Sequence, residues 1–227
     1  MFDAIIPLRS GSKGIKDKNL IKFKGELLVN FTVKKLLKIN HIRRIFILTD
    51  STSYKKKIIK NKKIDLSYNR PKKISRDNSS INEVVLDFLK KKGKECGIEK
   101  VLFFHVTTPL ISINEIKKTI NFIKRRKIDS LIHVSEMIEP PYECITKKGL
   151  NWKLLTSKYV TNRQNFKKYY FITGSMYYFT RNFFLKSKRV FNNKTYAYEV
   201  DKINFIDINT AFDYENAKLL INKKIRN

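Results

Sequence analysis

Glycine and proline are scarce in this chain, at seven and five of 227 residues. That scarcity excludes collagen-like repeats and Pro/Gly-rich low-complexity segments. Two cysteines, Cys96 and Cys144, stand far apart with no CxxC or CxxH spacing, so neither a disulfide framework nor a zinc site is expected. No apolar run reaches the roughly 18 residues that a membrane span requires. The opening MFDAIIPLRSGSKG has an acid at position 3 and few apolar residues before Arg9, a pattern unlike a secretory signal peptide. Acids are also few, 20 against 49 basic residues, for a formal net charge of +29. Apolar material is plentiful, with 42% hydrophobic and 12% aromatic residues, enough for a sizeable core and too much for a disordered chain. These features lead us to expect a soluble, cytoplasmic protein of one domain spanning residues 1–227.

The charge invites a nucleic-acid reading through counterion release from phosphates. Only eleven of the 49 basic residues are arginine, however, and the lysines are spread along the whole chain. Base-reading surfaces favour arginine for its bidentate geometry, and the arginine pairs are limited to Arg43-Arg44 and Arg125-Arg126. Runs such as Lys55-Lys56-Lys57 sit beside apolar residues and read as solvated helix faces. No specific nucleic-acid partner is expected, and a basic nucleic-acid-binding protein stands as the alternative of a different class. The positive field would still concentrate anionic ligands such as nucleotides.

Short dense apolar runs alternate with longer helical stretches. Runs at 4–8, 44–48, 64–67, 101–106, 130–134, 175–180 and 204–208 predict strands, and the stretches 29–39, 53–60, 80–92, 114–126, 181–188 and 211–221 predict helices. Ser80 and Glu83 have the spacing of a capping box. Strands separated by helices imply right-handed βαβ units, hence a mainly parallel sheet covered on both faces, a three-layer α/β/α sandwich. From about 136 to 170 the rhythm breaks at Glu139-Pro140-Pro141-Tyr142, which predicts an inserted arm of hairpin-like pieces.

In such sheets ligands gather beyond the carboxyl ends of the strands. Polar residues cluster there: Arg9–Asn19, Asp50, Thr107-Thr108 and Asp207–Asn209. The first loop is the richest, with small residues at Ser10, Gly11, Ser12 and Gly14 that let backbone N–H groups approach an anion. Arg9, Lys13 and Lys18 can neutralise phosphate oxygens. The loop has neither the Walker A nor the GxGxxG spacing. Taken alone, it reads equally as a phosphate cradle and as a plain turn.

The wider pattern is more specific. R-S-G-S-K-G-(x)3-K-N at Arg9–Asn19 resembles the N-terminal signature of the CMP-sialic acid synthetase (acylneuraminate cytidylyltransferase) family. In the same order follow Leu48-Thr49-Asp50-Ser51, Arg70-Pro71-(x)5-Asp77-(x)2-Ser80, Thr107-Thr108-Pro109-Leu110, Arg163-Gln164, Thr173-Gly174-Ser175-Met176-Tyr177 and Asp207-Ile208-Asn209-Thr210-(x)2-Asp213. The resemblance spans nearly the whole chain. It implies a Rossmann-like sheet of the nucleotide-diphospho-sugar transferase type. The activity it implies joins CTP to the anomeric hydroxyl of a sialic-acid-like keto-sugar acid, with release of pyrophosphate, for surface glycan biosynthesis. A CMP-Kdo synthetase or another sugar nucleotidyltransferase is the near alternative.

Site roles follow from the same resemblance. Arg9 and Lys18 would be catalytic, stabilising charge on the triphosphate. Ser12, Lys13, Asn19, Arg70, Asp77 and Ser80 would bind the nucleotide. His105, Thr107, Arg163 and Gln164 would face the sugar, and Asp207 with Asn209 would hold magnesium. Asp213 is read as a helix cap, and His41 and His133 as structural. The arm near 136–170 resembles the family's dimerisation segment, so a homodimer is expected, with Tyr142, Trp152 and Tyr159 as interface aromatics.

This chain departs from the family pattern at several points. Asn209 replaces the second metal-binding aspartate, which removes one negative charge and raises the possibility of a member that binds CTP without turnover. His105-Val106 replaces Gln-Pro, Ile111 replaces a closing arginine, and Thr173 replaces the asparagine of N-G-A-I-Y. These changes leave the acceptor sugar open.

Overall fold

The computed structural model describes residues 1–11, 15–137, 139, 141–156, 167–201 and 206–226. The strands in chain order are β1 (Phe2–Pro7), β2 (Lys22–Phe23), β3 (Glu26–Leu27), β4 (Ile42–Leu48), β5 (Ile64–Asp65), β6 (Lys100–Phe103), β7 (Ser130–Glu136), β8 (Ile145–Lys148), β9 (Asn151–Leu154), β10 (Tyr170–Thr180) and β11 (Tyr196–Glu199). The α-helices are α1 (Leu28–Leu37), α2 (Thr52–Lys57), α3 (Ile81–Phe88), α4 (Ile113–Arg126), α5 (Arg181–Ser187) and α6 (Ala211–Arg226).

Seven strands form one sheet in the order β11-β7-β10-β6-β1-β4-β5. β1 pairs in parallel with β4 and β6, β4 with β5, and β11 with β7. β10 alone runs antiparallel, between β6 and β7. The mainly parallel α/β/α sandwich expected from the alternation is therefore present.

Period-2 alternation assigns each strand residue to a face. Ala4, Ile6 and Leu8 of the first strand segment join Ile45, Ile47, Val33, Leu36, Ile116 and Ile120 in one core layer, under α1 and α4. Ile5, Phe46 and Leu48 point the other way and pack with Val85, Phe88 and Phe184 of α3 and α5. Burial on both faces is what parallel strands require, because their apolar runs leave no face for water.

Helix ends are fixed by side chains. Ser112 accepts from Glu115 N at 3.0 Å to start α4, and Thr180 accepts from Phe183 N at 3.1 Å to start α5. Ser80 and Glu83 form a complete capping box at α3. At the start of β1, the buried Asp3 carboxylate is held by Arg43 of β4, at 3.1 Å from Nε and 2.5 Å from Nη2.

Two expectations are corrected. Residues 202–205 lie outside the described residues, and 206–208 form no strand. The strand paired with β7 at the sheet edge is β11, which starts eight residues before the expected 204–208 strand. The arm contains the β8–β9 hairpin, but Tyr142 is buried against Tyr169, with ring centroids 5.4 Å apart. It fills a local gap rather than facing outward. Trp152 of β9 is 63% exposed, and Tyr159 lies outside the described residues.

His133 of β7 is wholly buried, and desolvation pushes its pKa down to about 3. The unfolded chain therefore binds a proton that the folded chain does not between that value and about 6.5. The stabilisation is full above about 6.5 and is lost as pH falls. Urea denaturation should show stability dropping by up to about 1.4 kcal/mol per pH unit below this point, and His133→Gln should flatten that slope.

Candidate active site

The first loop is clamped at both ends. Asp50, at the end of β4, accepts from Ser10 N at 2.9 Å and from Ser10 Oγ at 2.8 Å. Asn19 Nδ2 donates to the Arg9 carbonyl at 3.1 Å, and Tyr54 of α2 donates to Asp17 at 2.6 Å. Asp17 lies at φ +52, a left-handed conformation that aspartate tolerates better than most residues. These bonds hold Arg9 and Lys18 at the mouth of one cavity of about 1010 Å3 above the strand ends.

Three segments complete the cavity. The stretch after β5 contributes Arg70, Arg76, Asp77 and Ser79. Arg70 is only 6% exposed and donates from Nε and Nη2 to the Ile74 carbonyl at 3.0 and 2.6 Å. Burial lowers its pKa from the ordinary arginine value, with Asp50 opposing. Arg70 thus braces the turn that carries Arg76 and Asp77, while its own backbone N–H bonds Thr49 at 3.0 Å. Asp77 pairs with Arg9 Nη1 at 2.7 Å.

The exit of β6 contributes His105, Thr107 and Thr108. His105 sits edge-on between the rings of Phe103 and Tyr177, at 5.0 and 6.1 Å. Desolvation lowers its pKa, with Asp207 opposing, so the ring is neutral near neutral pH. The Thr107 carbonyl accepts from Ile208 N at 2.8 Å, which ties the 206–213 segment to this strand end.

That segment brings Asp207, Asn209 and Asp213 to the cavity. Lys18 Nζ donates to Asn209 Oδ1 at 2.7 Å, and Asn209 Nδ2 donates to Asp207 Oδ2 at 2.9 Å. Desolvation lowers the pKa of Lys18, and Asp207 partly restores it. Asp213 accepts from Thr210 N at 2.8 Å and from Asn209 N at 3.0 Å, capping α6.

The sequence-predicted residues thus divide into three groups. Arg9, Lys18, Asn19, Arg70, Asp77, His105, Thr107, Asp207 and Asn209 meet at one cavity. Ser80 is a correction. Its hydroxyl accepts from Asn82 N at 3.1 Å as the N-cap of α3, and its neighbours Ser79 and Ile81 line the cavity instead. Ser12, Lys13, Arg163 and Gln164 lie outside the described residues.

Other lining residues were not singled out from sequence: Arg76, Ser79, Phe171, Ile172, Ile206 and Asn216. Arg76 had a readable signal, an arginine in a lysine-rich chain beside a motif residue. The apolar residues Phe171, Ile172 and Ile206 had none, since nothing distinguishes them from core.

Asp207 and Asn209 supply one carboxylate and one amide oxygen for a divalent cation. Among the described residues no group of three His, Cys, Asp or Glu side chains stands ready for a metal. A divalent cation held by one or two protein oxygens plus phosphate oxygens fits this sparse set. Lys18 already uses one of the two lone pairs of the Asn209 oxygen.

Comparison with known proteins identifies the fold and the family. An N-acylneuraminate cytidylyltransferase of Streptococcus agalactiae is 28% identical over 92% of this chain, which spans about half (51%) of that relative's length. A pseudaminic acid cytidylyltransferase of Campylobacter jejuni is 23% identical, covering 95% of this chain and 94% of its own. The solved CMP:2-keto-3-deoxy-manno-octonic acid synthetase complexed with CTP superposes with a TM-score of 0.71 at 12% identity, covering 99% of this chain and 100% of that one. A model of the cytidylyltransferase family matches residues 4–225, and this chain belongs to that family.

Proposed function

We propose that this chain transfers the cytidylyl group of CTP to the anomeric hydroxyl of a nonulosonic keto-sugar acid. The observation that carries this reading is the convergence of Arg9 and Lys18 with Asp207 and Asn209 at one cavity, sealed by the 2.7 Å bond between Lys18 and Asn209. In the reaction the acceptor oxygen attacks the α-phosphorus, the bond to pyrophosphate breaks, and the hydroxyl proton passes to solvent. Chemistry of this type depends on positioning and charge neutralisation.

Arg9 exchanges Asp77 for phosphate oxygens, and Lys18 neutralises charge that builds on the transferring group. The buried Arg70 keeps Arg76 and Asp77 in register, and Arg76 adds a cation at the rim. Asn19 and Ser79 border the nucleoside, with Ser12 and Lys13 expected on the same loop. His105 and Thr107 face the acceptor beside Phe171 and Ile172, whose apolar surface suits the acyl and deoxy groups of sialic-acid-like sugars. Asp207 and Asn209 would hold magnesium, which when bound supplies charge for the leaving pyrophosphate.

The relatives that act on acylneuraminate and pseudaminic acid support a nine-carbon acceptor. The protein works as a cytoplasmic homodimer of single-domain subunits, joined through the arm. Exposed Ile145, Leu150, Trp152 and Leu155 on the β8–β9 hairpin support this, and Arg163 and Gln164 would reach the partner's cavity.

A thermal-shift screen with CTP, ATP, GTP and UTP plus magnesium tests the nucleotide. Ligand at about 100 times its Kd should add about 2.7 kcal/mol to native stability, for CTP alone; equal shifts for all four, or none, would reject the reading. Pyrophosphate release with a panel of keto-sugar acids, Kdo included, tests the acceptor. Arg76→Ala should raise the KM for CTP about tenfold, the worth of one charge-assisted bond, with the acceptor KM unchanged. Asn209→Asp should tighten magnesium binding measured by calorimetry in the presence of CTP, and an unaltered affinity would remove residue 209 from the ligand set.

A further inference from the structure

His105 follows β6 into the cavity, and its ring is held by aromatic neighbours rather than by hydrogen bonds. Phe103 and Tyr177 meet it edge-on, and Tyr177 is itself fixed between Phe103 at 5.6 Å and Phe191 at 6.0 Å. The His105 carbonyl accepts from the Thr108 hydroxyl at 2.9 Å, which anchors the backbone. Among the described residues, no group hydrogen-bonds either ring nitrogen. His133 is the contrast, since both of its nitrogens meet hydroxyls at 3.0 Å. A half-buried polar ring packed as His105 is takes its partner from water or from a bound ligand.

A neutral imidazole has one bare nitrogen in either tautomer, so the ring can take a proton whichever nitrogen carries the hydrogen. Burial keeps it neutral near neutral pH, and the charges that act on it are Asp207 and Lys18. Those are two of the residues assigned above to the transferring group and the cation, which sets the ring on the reacting side of the cavity.

The other titratable groups there are committed. Arg9, Lys18, Arg70 and Arg76 are cations. Asp77 pairs with Arg9 at 2.7 Å, and Asp213 caps α6 by accepting from two backbone N–H groups. Asp207 accepts from Asn209 and is the carboxylate assigned to the divalent cation. Burial raises the pKa of Tyr177, so its hydroxyl keeps its hydrogen. Against the family pattern, this chain lacks a proton acceptor at Asn209 and has one at His105.

We propose that His105 is the general base of the transfer. As the acceptor oxygen bonds to the α-phosphorus, its O–H bond breaks and the hydrogen joins the bare imidazole nitrogen. The bond from phosphorus to the bridging oxygen breaks, and its electron pair leaves on pyrophosphate. The imidazolium then gives its proton to solvent, which restores the neutral ring. The hydroxyl becomes acidic only as the new P–O bond forms, so a base of modest strength acts in the transition state. The inference rests on the cavity being the cytidylyl-transfer site.

The test follows product formation in a single turnover, which separates chemistry from product release. His105→Gln keeps a hydrogen-bonding side chain but cannot take up a proton. Its single-turnover rate at saturating substrates should fall about a hundredfold, the lower range for a general base, with the CTP KM within about twofold. His105→Ala should show a similar loss, and free imidazole should restore a saturable part of it, more basic imidazoles restoring more. A His105→Gln rate within about threefold of wild type would overturn the proposal, because the proton then leaves through water or a phosphate oxygen. A loss in His105→Ala that no imidazole reverses would overturn it too, as the mark of a packing role. Stabilisation by CTP equal to that of the wild type identifies a folded variant, and either variant alone decides. If the wild-type chain releases no pyrophosphate with any keto-sugar acid, the function reading falls and this proposal with it. Release that survives His105→Gln overturns the proposal alone.

Discussion

The carboxylate of Asp50 is the constraint on which the cavity depends. By accepting both hydrogens of Ser10, it decides how the chain leaves β1. β1 and β4 are adjacent parallel strands, so their carboxyl ends open side by side and a residue at one can clasp a loop from the other. The bond from Ile208 N to the Thr107 carbonyl does the same at β6. Residues nearly 200 positions apart thereby come within hydrogen-bonding distance, as Lys18 and Asn209 do. A parallel sheet makes this convergence inexpensive, because every strand end on one edge faces the same solvent region.

Much of this was legible in the sequence, for identifiable physical reasons. The polar loop after β1 announced itself through small residues and cations after an apolar run. The α3 capping box could be read from Ser80 and Glu83, although the motif resemblance drew Ser80 toward the nucleotide and the helix N-terminus claimed it. β11 escaped because Tyr-Ala-Tyr-Glu is short and largely exposed at a sheet edge. The denser run at 204–208 drew the strand prediction instead. The antiparallel direction of β10 was not legible, since an apolar run carries no arrow. His133 read as structural, and it is wholly buried, but its bond to Ser175, 42 residues away, was not legible because no local spacing signals the pair.

The arginines illustrate a division of labour that composition alone hides. Arg70 is buried and bonds a carbonyl, whereas Arg76, six residues on, is exposed at the cavity rim. Burying a guanidinium is tolerable when its donors are matched, and the matched one holds the turn that presents the other. Lys18 and Asn209 show a similar economy. The ammonium takes one lone pair of the amide oxygen, and the amide nitrogen donates to Asp207, so one side chain bridges a cation and an anion.

The chain contains a single tryptophan, and it lies on the exposed face of the β8–β9 hairpin. Excited at wavelengths where the eleven tyrosines absorb little, its indole emission reports the surroundings of that hairpin, so a blue shift on concentrating the protein would register its coverage without any label.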